Sequence, residues 1–463
     1  MKLPKLVLAF AIAILASCDS GSSNITLQSG GAGGTRDSGG TGGSGGMLAT
    51  GGIAAGGTSV AGGSAAGGMT STSGAGMGGA PGTGGSQPDA APLLDAAKPD
   101  AADSGVAPGR DAPAADGVSD LTMDRPMPDS SLSGVYKPAF ILGADVTITL
   151  EDEYWGATYT DNGQQKPLEQ ILKDHGFNFI RLDTFVNPGA PGGYAASMPE
   201  AFRDLAHTIT LAKRIKKIGM GFMLDFHYSD TWTNAGAQAT PAAWAGQSLT
   251  TLQTTVYDYT KDAITQLKGQ GAMPDMVSVG NEIANGILWD SGRITNSNFA
   301  SFASLLKAGV RAVRDVDPDI VVVMHLDKCN NYDTTKWWLD GVLGQGVSFD
   351  VLGQSCYATA PNGVAGYQGT PADWKSTFTQ LASAYPNLKF LIAEYSAEQR
   401  AAGDVMVGLP GKRGLGTFNW DPTRSYTTHP NDPLFSTDGA WNRYVAIPEK
   451  IGLYDQMAHD YGL

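Results

Sequence analysis

From Val135 onward the chain alternates between two textures. Short apolar runs, rich in β-branched and aromatic residues and bounded by Gly, Pro, Asn or Asp, are separated by longer stretches whose apolar positions recur every three or four residues. The first kind reads as buried parallel strands and the second as amphipathic helices. Eight runs are predicted as strands: residues 139–145, 177–183, 221–227, 275–282, 320–325, 349–355, 390–394 and 415–420. Between them, residues 199–218 place Phe202, Leu205, Ile209 and Ile215 on one predicted face with Lys and Arg opposite; residues 249–267 and 299–316 repeat the pattern. Alternation of this kind implies right-handed βαβ units, and eight of them in roughly 330 residues imply an α/β fold of the (β/α)8 TIM-barrel type. An open doubly wound sheet needs a glycine-rich phosphate turn after its first strand, and Asp145-Val146-Thr147 stands there instead.

Polar residues collect where the predicted strands end: Asp145, Arg181, Asp183, Asp225, His227, Asn281, Glu282, His325, Tyr357, Glu394 and Trp420. The opposite ends carry mostly Gly, Asn, Asp and Lys. Chemistry on a barrel sits at the C-terminal rim of the strands, so this asymmetry marks the working face.

The 463 residues hold more than this barrel. Residues 1–17 read as a lipoprotein signal peptide: Lys2 and Lys5 precede an apolar core too short to span a bilayer, and Leu15-Ala16-Ser17-Cys18 resembles a lipobox that would leave Cys18 lipidated. Residues 18–134 are a Gly/Ser/Ala/Pro-rich linker whose few scattered apolar side chains cannot offset the entropy of ordering it, so disorder is expected. Residues 135–463 form the catalytic domain. The expected location is outside the bacterial cytoplasm, anchored to a membrane through the N-terminal lipid or displayed at the cell surface. Net charge is −14, from 31 basic and 45 acidic residues, which argues against nucleic acid as a partner.

Two acids stand out, Glu282 closing the fourth predicted strand and Glu394 closing the seventh. Both should face one mouth from opposite sides. Two carboxyls held about 5–5.5 Å apart perform retaining glycoside hydrolysis, one delivering a proton to the leaving oxygen and the other attacking the anomeric carbon. Their surroundings must separate the two pKa values. Asn281, beside the acid, suits a hydrogen bond to a sugar 2-hydroxyl.

Several segments resemble glycoside hydrolase family 53, the arabinogalactan endo-β-1,4-galactanases. They are Gly143-Ala144-Asp145, Phe177-Asn178-Phe179-Ile180-Arg181-Leu182, Leu224-Asp225-Phe226-His227-Tyr228-Ser229-Asp230-Thr231-Trp232, Val279-Gly280-Asn281-Glu282-Ile283-Ala284-Asn285-Gly286 and Leu288-Trp289. The resemblance implies a (β/α)8 barrel, a retaining mechanism, Glu282 as acid/base and Glu394 as nucleophile, with galactan or arabinogalactan as the polysaccharide partner. The chain departs from the family pattern at Asp183, where Arg is usual, at Ser355-Cys356-Tyr357-Ala358, at Tyr395-Ser396-Ala397-Glu398 and at Phe418-Asn419-Trp420-Asp421-Pro422.

The remaining candidates contact substrate or support the acids. Asp145 and Arg181 end strands, and the planar fork of Arg181 suits holding a carboxylate. His227 and His325 are candidates for sugar or carboxylate contact, and Tyr357 for a hydrogen bond to the nucleophile. Trp420 and Trp289 offer flat faces for sugar stacking, as does Trp232. Cys329 and Cys356 follow adjacent predicted strands; a disulfide and a pair of free buried thiols both remain open. Calcium is the one ion considered, near Asp432 and Asp438, but no calcium loop is recognisable and no metal or cofactor is expected. The expected state is a monomer. The rival readings are another retaining β-glycanase on the same barrel and a lipoprotein that binds polysaccharide without cutting it.

Overall fold

A computed structural model describes residues 138–327, 329–358, 369–424, 432–440 and 442–463. The expected signal peptide 1–17, the lipidation candidate Cys18 and the expected linker 18–134 lie outside the described residues.

Eight parallel strands close into a barrel. They are β1 (Ile141–Asp145), β2 (Phe179–Thr184), β3 (Gly221–Phe226), β4 (Met276–Ser278), β5 (Val321–Leu326), β6 (Val351–Ser355), β7 (Lys389–Tyr395) and β8 (Gly414–Trp420). Each pairs with its neighbour in sequence, and β8 closes on β1 with Gly143 opposite Phe418 and Asp145 opposite Trp420. Helices cover the outside: α1 (Thr149–Tyr154) and α2 (Leu168–Asp174) after β1, α3 (Leu205–Lys217) after β2, α4 (Leu249–Gly269) after β3 and α5 (Ala300–Val316) after β4. They continue with α6 (Tyr332–Gly344), α7 (Pro371–Ala384), α8 (Gln399–Val407) and α9 (Pro448–Tyr461). Among the described residues, no helix is long and apolar enough to cross a membrane.

Period-two alternation along the strands builds two separate apolar cores. Ile141, Phe179, Met223, Met276, Val321, Val323, Val351, Leu391 and Phe418 fill the barrel interior. Leu142, Ile180, Phe222, Val277, Val322 and Leu352, one residue out of phase, pack under the helices. Continuing the inward phase toward the rim brings in Asp145, Arg181 and Asp225, so the polar layer is the next storey above the apolar plug. The interior has no slack: a Cβ on Gly143 would sit 2.4 Å from the Phe418 ring.

Two predicted elements are shorter by more than a turn's worth of residues than the sequence pattern suggests. The fourth strand ends at Ser278 instead of continuing to Glu282, because Gly280 turns the chain at φ +101° and Glu282 itself is held at φ +47°. That turn presents the consecutive residues Asn281 and Glu282 to the mouth, which an extended strand would have sent to opposite faces. The helix predicted over 199–218 begins only at Leu205. Arg203 has φ +70°, and the Asp204 side chain accepts the backbone N–H of His207 as an N-cap. Its buried face is Thr208, Leu211, Ala212 and Ile215, with Ile209 only half-buried.

Strand β7 carries a feature with no counterpart in the hydrophobic pattern. Gln354 of β6 pairs with Ile392, but the next residue, Ser355, pairs with Glu394. Ala393 is therefore an extra residue, a β-bulge. Leu391 faces the interior and Ile392 the helices. Simple alternation would send Glu394 outward, and the bulge turns it in.

Additional strands edge the barrel. Thr158–Asp161 and Gln164–Gln165, following α1, join Phe435–Thr437 and Arg443–Ala446 in a four-stranded sheet, and Gly286–Ile287 pairs with Gly292–Arg293 beyond Glu282. Phe418 lies edge-on to Phe179 at 5.9 Å in the interior core. Phe418→Ala is expected to cost about 3–5 kcal/mol of stability, read from the urea unfolding midpoint.

Candidate active site

A single guanidinium organises the floor of the mouth. Arg181, 1% exposed on β2, reaches neighbours from several strands. Its Nη1 lies 3.1 Å from Asp145 Oδ2 and 2.6 Å from Glu394 Oε1, and its Nη2 lies 2.6 Å from Asp225 Oδ2. Nη2 also donates to Asn281 Oδ1 at 2.9 Å. Burial works against the charge on Arg181, but Asp225, Glu394 and Asp145 outweigh it and hold the guanidinium protonated. Asp145 accepts from the backbone N–H and hydroxyl of Thr147, and burial raises its pKa despite Arg181.

Above this floor the two predicted acids meet. Glu282, Glu394 and His325 each bring one side-chain oxygen or nitrogen within 4.8 Å of the others. Tyr357 donates its hydroxyl to Glu394 Oε2 at 2.8 Å. Ser355 Oγ lies 2.7 Å from Glu282 Oε1 and 3.4 Å from Glu394 Oε2, touching both acids. Removal from water drives the Glu282 pKa well up; the nearby charges of Glu394 and Asp327 add to this, and Ser355 and Arg181 oppose it only in part. The pair is thus asymmetric. Glu394 lies against a guanidinium and a phenol hydroxyl, whereas Glu282 sits where a proton is favoured.

Both histidines lie beneath the surface of the mouth. His227 is 2% exposed, and its Nδ1 accepts from the backbone N–H of Thr233 at 3.0 Å. That assigns the ring proton to Nε2, which lies 3.7 Å from Asp225 Oδ2. Burial, then Arg181 and Arg203, keep this imidazole neutral. His325 is 1% exposed, its Nε2 is 2.9 Å from Ser355 Oγ, and burial pushes its pKa down to about 3. Asn281 Oδ1 accepts from Arg181 Nη2, and its Nδ2 donates one hydrogen to the Thr233 carbonyl at 2.7 Å.

The aromatic candidates divide. Trp420 ends β8 half-buried and stands edge-on to Tyr357 at 6.4 Å, beside the acids. Trp289 has Arg293 4.1 Å over one face and donates Nε1–H to the Asn285 carbonyl. Trp232 is covered on one face by Arg203 at 4.2 Å. Arg203 also pairs with Asp183, the position that departs from the family pattern. Burial pushes Asp183 up to about 7, against the pull of Arg203. Asp230 anchors loops, accepting the backbone N–H groups of Asn187 and Ala242.

Ser355 was not among the sequence candidates; its position one residue before Cys356, at the end of a strand in inward phase, was the available signal. Cys329 and Cys356 form a disulfide with Cα atoms 5.2 Å apart. Of the residues weighed for calcium, Asp432 pairs with Lys450 and Asp438 is exposed on a hairpin. Among the described residues, Glu282, His325 and Glu394 are the group close enough to share an ion. Two carboxylates and an imidazole beside a guanidinium are a poor match for calcium, which takes six to eight oxygens.

The family model described as Glycosyl hydrolase family 53 matches residues 141–407. The chain is 33% identical over 306 residues to the arabinogalactan endo-beta-1,4-galactanase of Humicola insolens, covering 60% of this chain and 88% of that protein. It is 41% identical over 226 residues to an uncharacterized protein in the bgaB 5′ region of Niallia circulans, covering 47% of this chain and 59% of that relative, less than two thirds of its length. Among solved structures, the Ignisphaera aggregans GH53 catalytic domain matches with a TM-score of 0.60 at 29% identity, over 68% of this chain and 96% of that one.

Removing the guanidinium would leave Asp145 and Asp225 buried without their cation. Arg181→Met is expected to destabilise the domain by about 3–5 kcal/mol, measured by urea unfolding, with Arg181→Lys recovering only part because an ammonium lacks the planar fork.

Proposed function

The chain belongs to glycosyl hydrolase family 53, and from that membership we propose that it is a retaining endo-β-1,4-galactanase acting on galactan or arabinogalactan. The observation that carries the mechanism is the close approach of Glu282 and Glu394, an oxygen of each within 4.8 Å. Retaining enzymes hold their carboxyls about 5–5.5 Å apart, whereas inverting enzymes leave about 6.5–9.5 Å for a water. The choice of substrate rests on the relative from Humicola insolens, which carries the galactanase name.

In the first step Glu394, ion-paired with Arg181 and hydrogen-bonded by Tyr357, attacks the anomeric carbon. The bond from that carbon to the leaving oxygen breaks, and Glu282 gives its proton to that oxygen. In the second step a water gives a proton to Glu282 and its oxygen displaces Glu394, returning both acids to their starting forms. The second Nδ2 hydrogen of Asn281 is available for the sugar 2-hydroxyl. Trp420 supplies an apolar face at the same mouth. We further propose that the enzyme is a monomer outside the cytoplasm, tethered through lipid on Cys18 and the Gly/Ser/Ala/Pro-rich segment 18–134. Cys18→Ala should then move the protein from the membrane fraction to the soluble fraction, a shift read by immunoblot.

Reducing-sugar release across galactan, arabinogalactan, mannan, xylan and cellulose separates this reading from another β-glycanase and from a non-cutting binder. Proton NMR of the first product formed tests retention of the anomer. Glu282→Gln should lower kcat/KM by about 10²–10⁴-fold. The high-pH limb of the activity profile should report Glu282 losing its proton. Ser355 donates to the charged form of Glu282 and so lowers its pKa; Ser355→Ala should move that limb to higher pH.

A further inference from the structure

The disulfide lies directly behind the catalytic pair. Ser355, Cys356 and Tyr357 are consecutive, and they alternate. Ser355 and Tyr357 reach the two acids, while Cys356 points back into the core under the helices. Its backbone N–H donates to the carbonyl of Glu394 at 2.8 Å, so the same residue grips the main chain of the nucleophile. Its sulfur is bonded to Cys329, just beyond β5, the strand that supplies His325. His325 in turn contacts Ser355 Oγ. The ladder between β6 and β7 slips by one residue at this point, so regular strand pairing does not by itself fix the register of Ser355 against Glu394. Both cysteines are fully buried.

We propose that the Cys329–Cys356 disulfide is a positioning element of the catalytic site, clamping the end of β6 so that Ser355 and Tyr357 stay on Glu282 and Glu394. The proposal rests on the reading of these two acids as the hydrolytic pair. Neither cysteine touches substrate; the bond acts through its neighbours. Without it the strand end loosens past the register slip, the serine and phenol hydroxyls leave the carboxylates, and water enters beside Glu282.

The test compares the wild-type protein with Cys329→Ala/Cys356→Ala. On linear galactan, kcat should fall roughly ten- to a hundredfold, the scale of a small misplacement of reacting groups, with KM changed less than about threefold. The high-pH limb should move to lower pH, because hydration of Glu282 relieves the largest cause of its raised pKa and outweighs the loss of the Ser355 hydrogen bond, which alone would move it the other way. Carbon-13 NMR titration of the glutamate side chains, assigned with Glu282→Gln and Glu394→Gln, should show the Glu282 transition falling in the same direction. If wild type fails to cleave galactan, the functional reading falls, while the titration still decides the role of the disulfide. A variant that loses only melting temperature, with kcat, the limb and the titration unmoved, would overturn the proposal. If the alanine pair does not fold, the more nearly isosteric Cys329→Ser/Cys356→Ser pair takes its place. Loss of the native near-ultraviolet circular dichroism in both would assign the bond to stability alone and overturn the proposal too.

Discussion

One buried cation meets three buried carboxylates, and the rest of the site depends on that meeting. Arg181 is withdrawn from water together with Asp145, Asp225 and Glu394. None of these charges would be tolerable alone at that depth, since an unpaired buried ion costs several kcal/mol. Together they form a rigid polar storey resting on the apolar plug of the barrel. Its rigidity is what lets Glu394 be aimed, because the planar fork leaves few arrangements that satisfy all of its partners.

That storey also separates the two acids chemically. The cation stands against Glu394, and Glu282 is left on the far side with two negative neighbours, Glu394 and Asp327. Burial then favours a proton on Glu282. The difference between them therefore comes from placement, since the two residues are the same amino acid. Ser355 sits between them and touches both, so one hydroxyl bridges the proposed proton donor and the proposed nucleophile.

Much of this was legible in the chain. All eight barrel strands stood out as apolar runs, because a strand buried on both faces has little room for polar residues until it reaches the rim. The polar rim residues were legible for the same reason, and Asp145, Arg181 and Asp225 converge as their phase requires. Other parts depended on backbone conformations that the hydrophobic pattern does not encode. The early end of β4 is set by Gly280 and by the left-handed conformation of Glu282. The late start of α3 is set by Arg203 and by the cap at Asp204. Asp183 differs from the family pattern, and Arg203, which pairs with it, comes from a segment the pattern reads as helix. Ser355 escaped notice because a serine beside a cysteine carries no apolar signal. The cysteines themselves left two states open, which the 5.2 Å Cα separation resolves.

The extra residue at Ala393 has a reach beyond Glu394. By shifting the phase of β7 it turns Glu394 inward and Tyr395 outward, and the Tyr395 hydroxyl meets that of Tyr454 on α9 at 2.6 Å. Asn419 of β8 donates to the same Tyr454 hydroxyl at 2.9 Å. The aim of Glu394 and the seating of the last helix are thus two outcomes of one insertion. Deleting a residue there would do more than misdirect an acid: it would unplug the closing wall of the barrel, so drift in the length of this strand is barred from both sides at once.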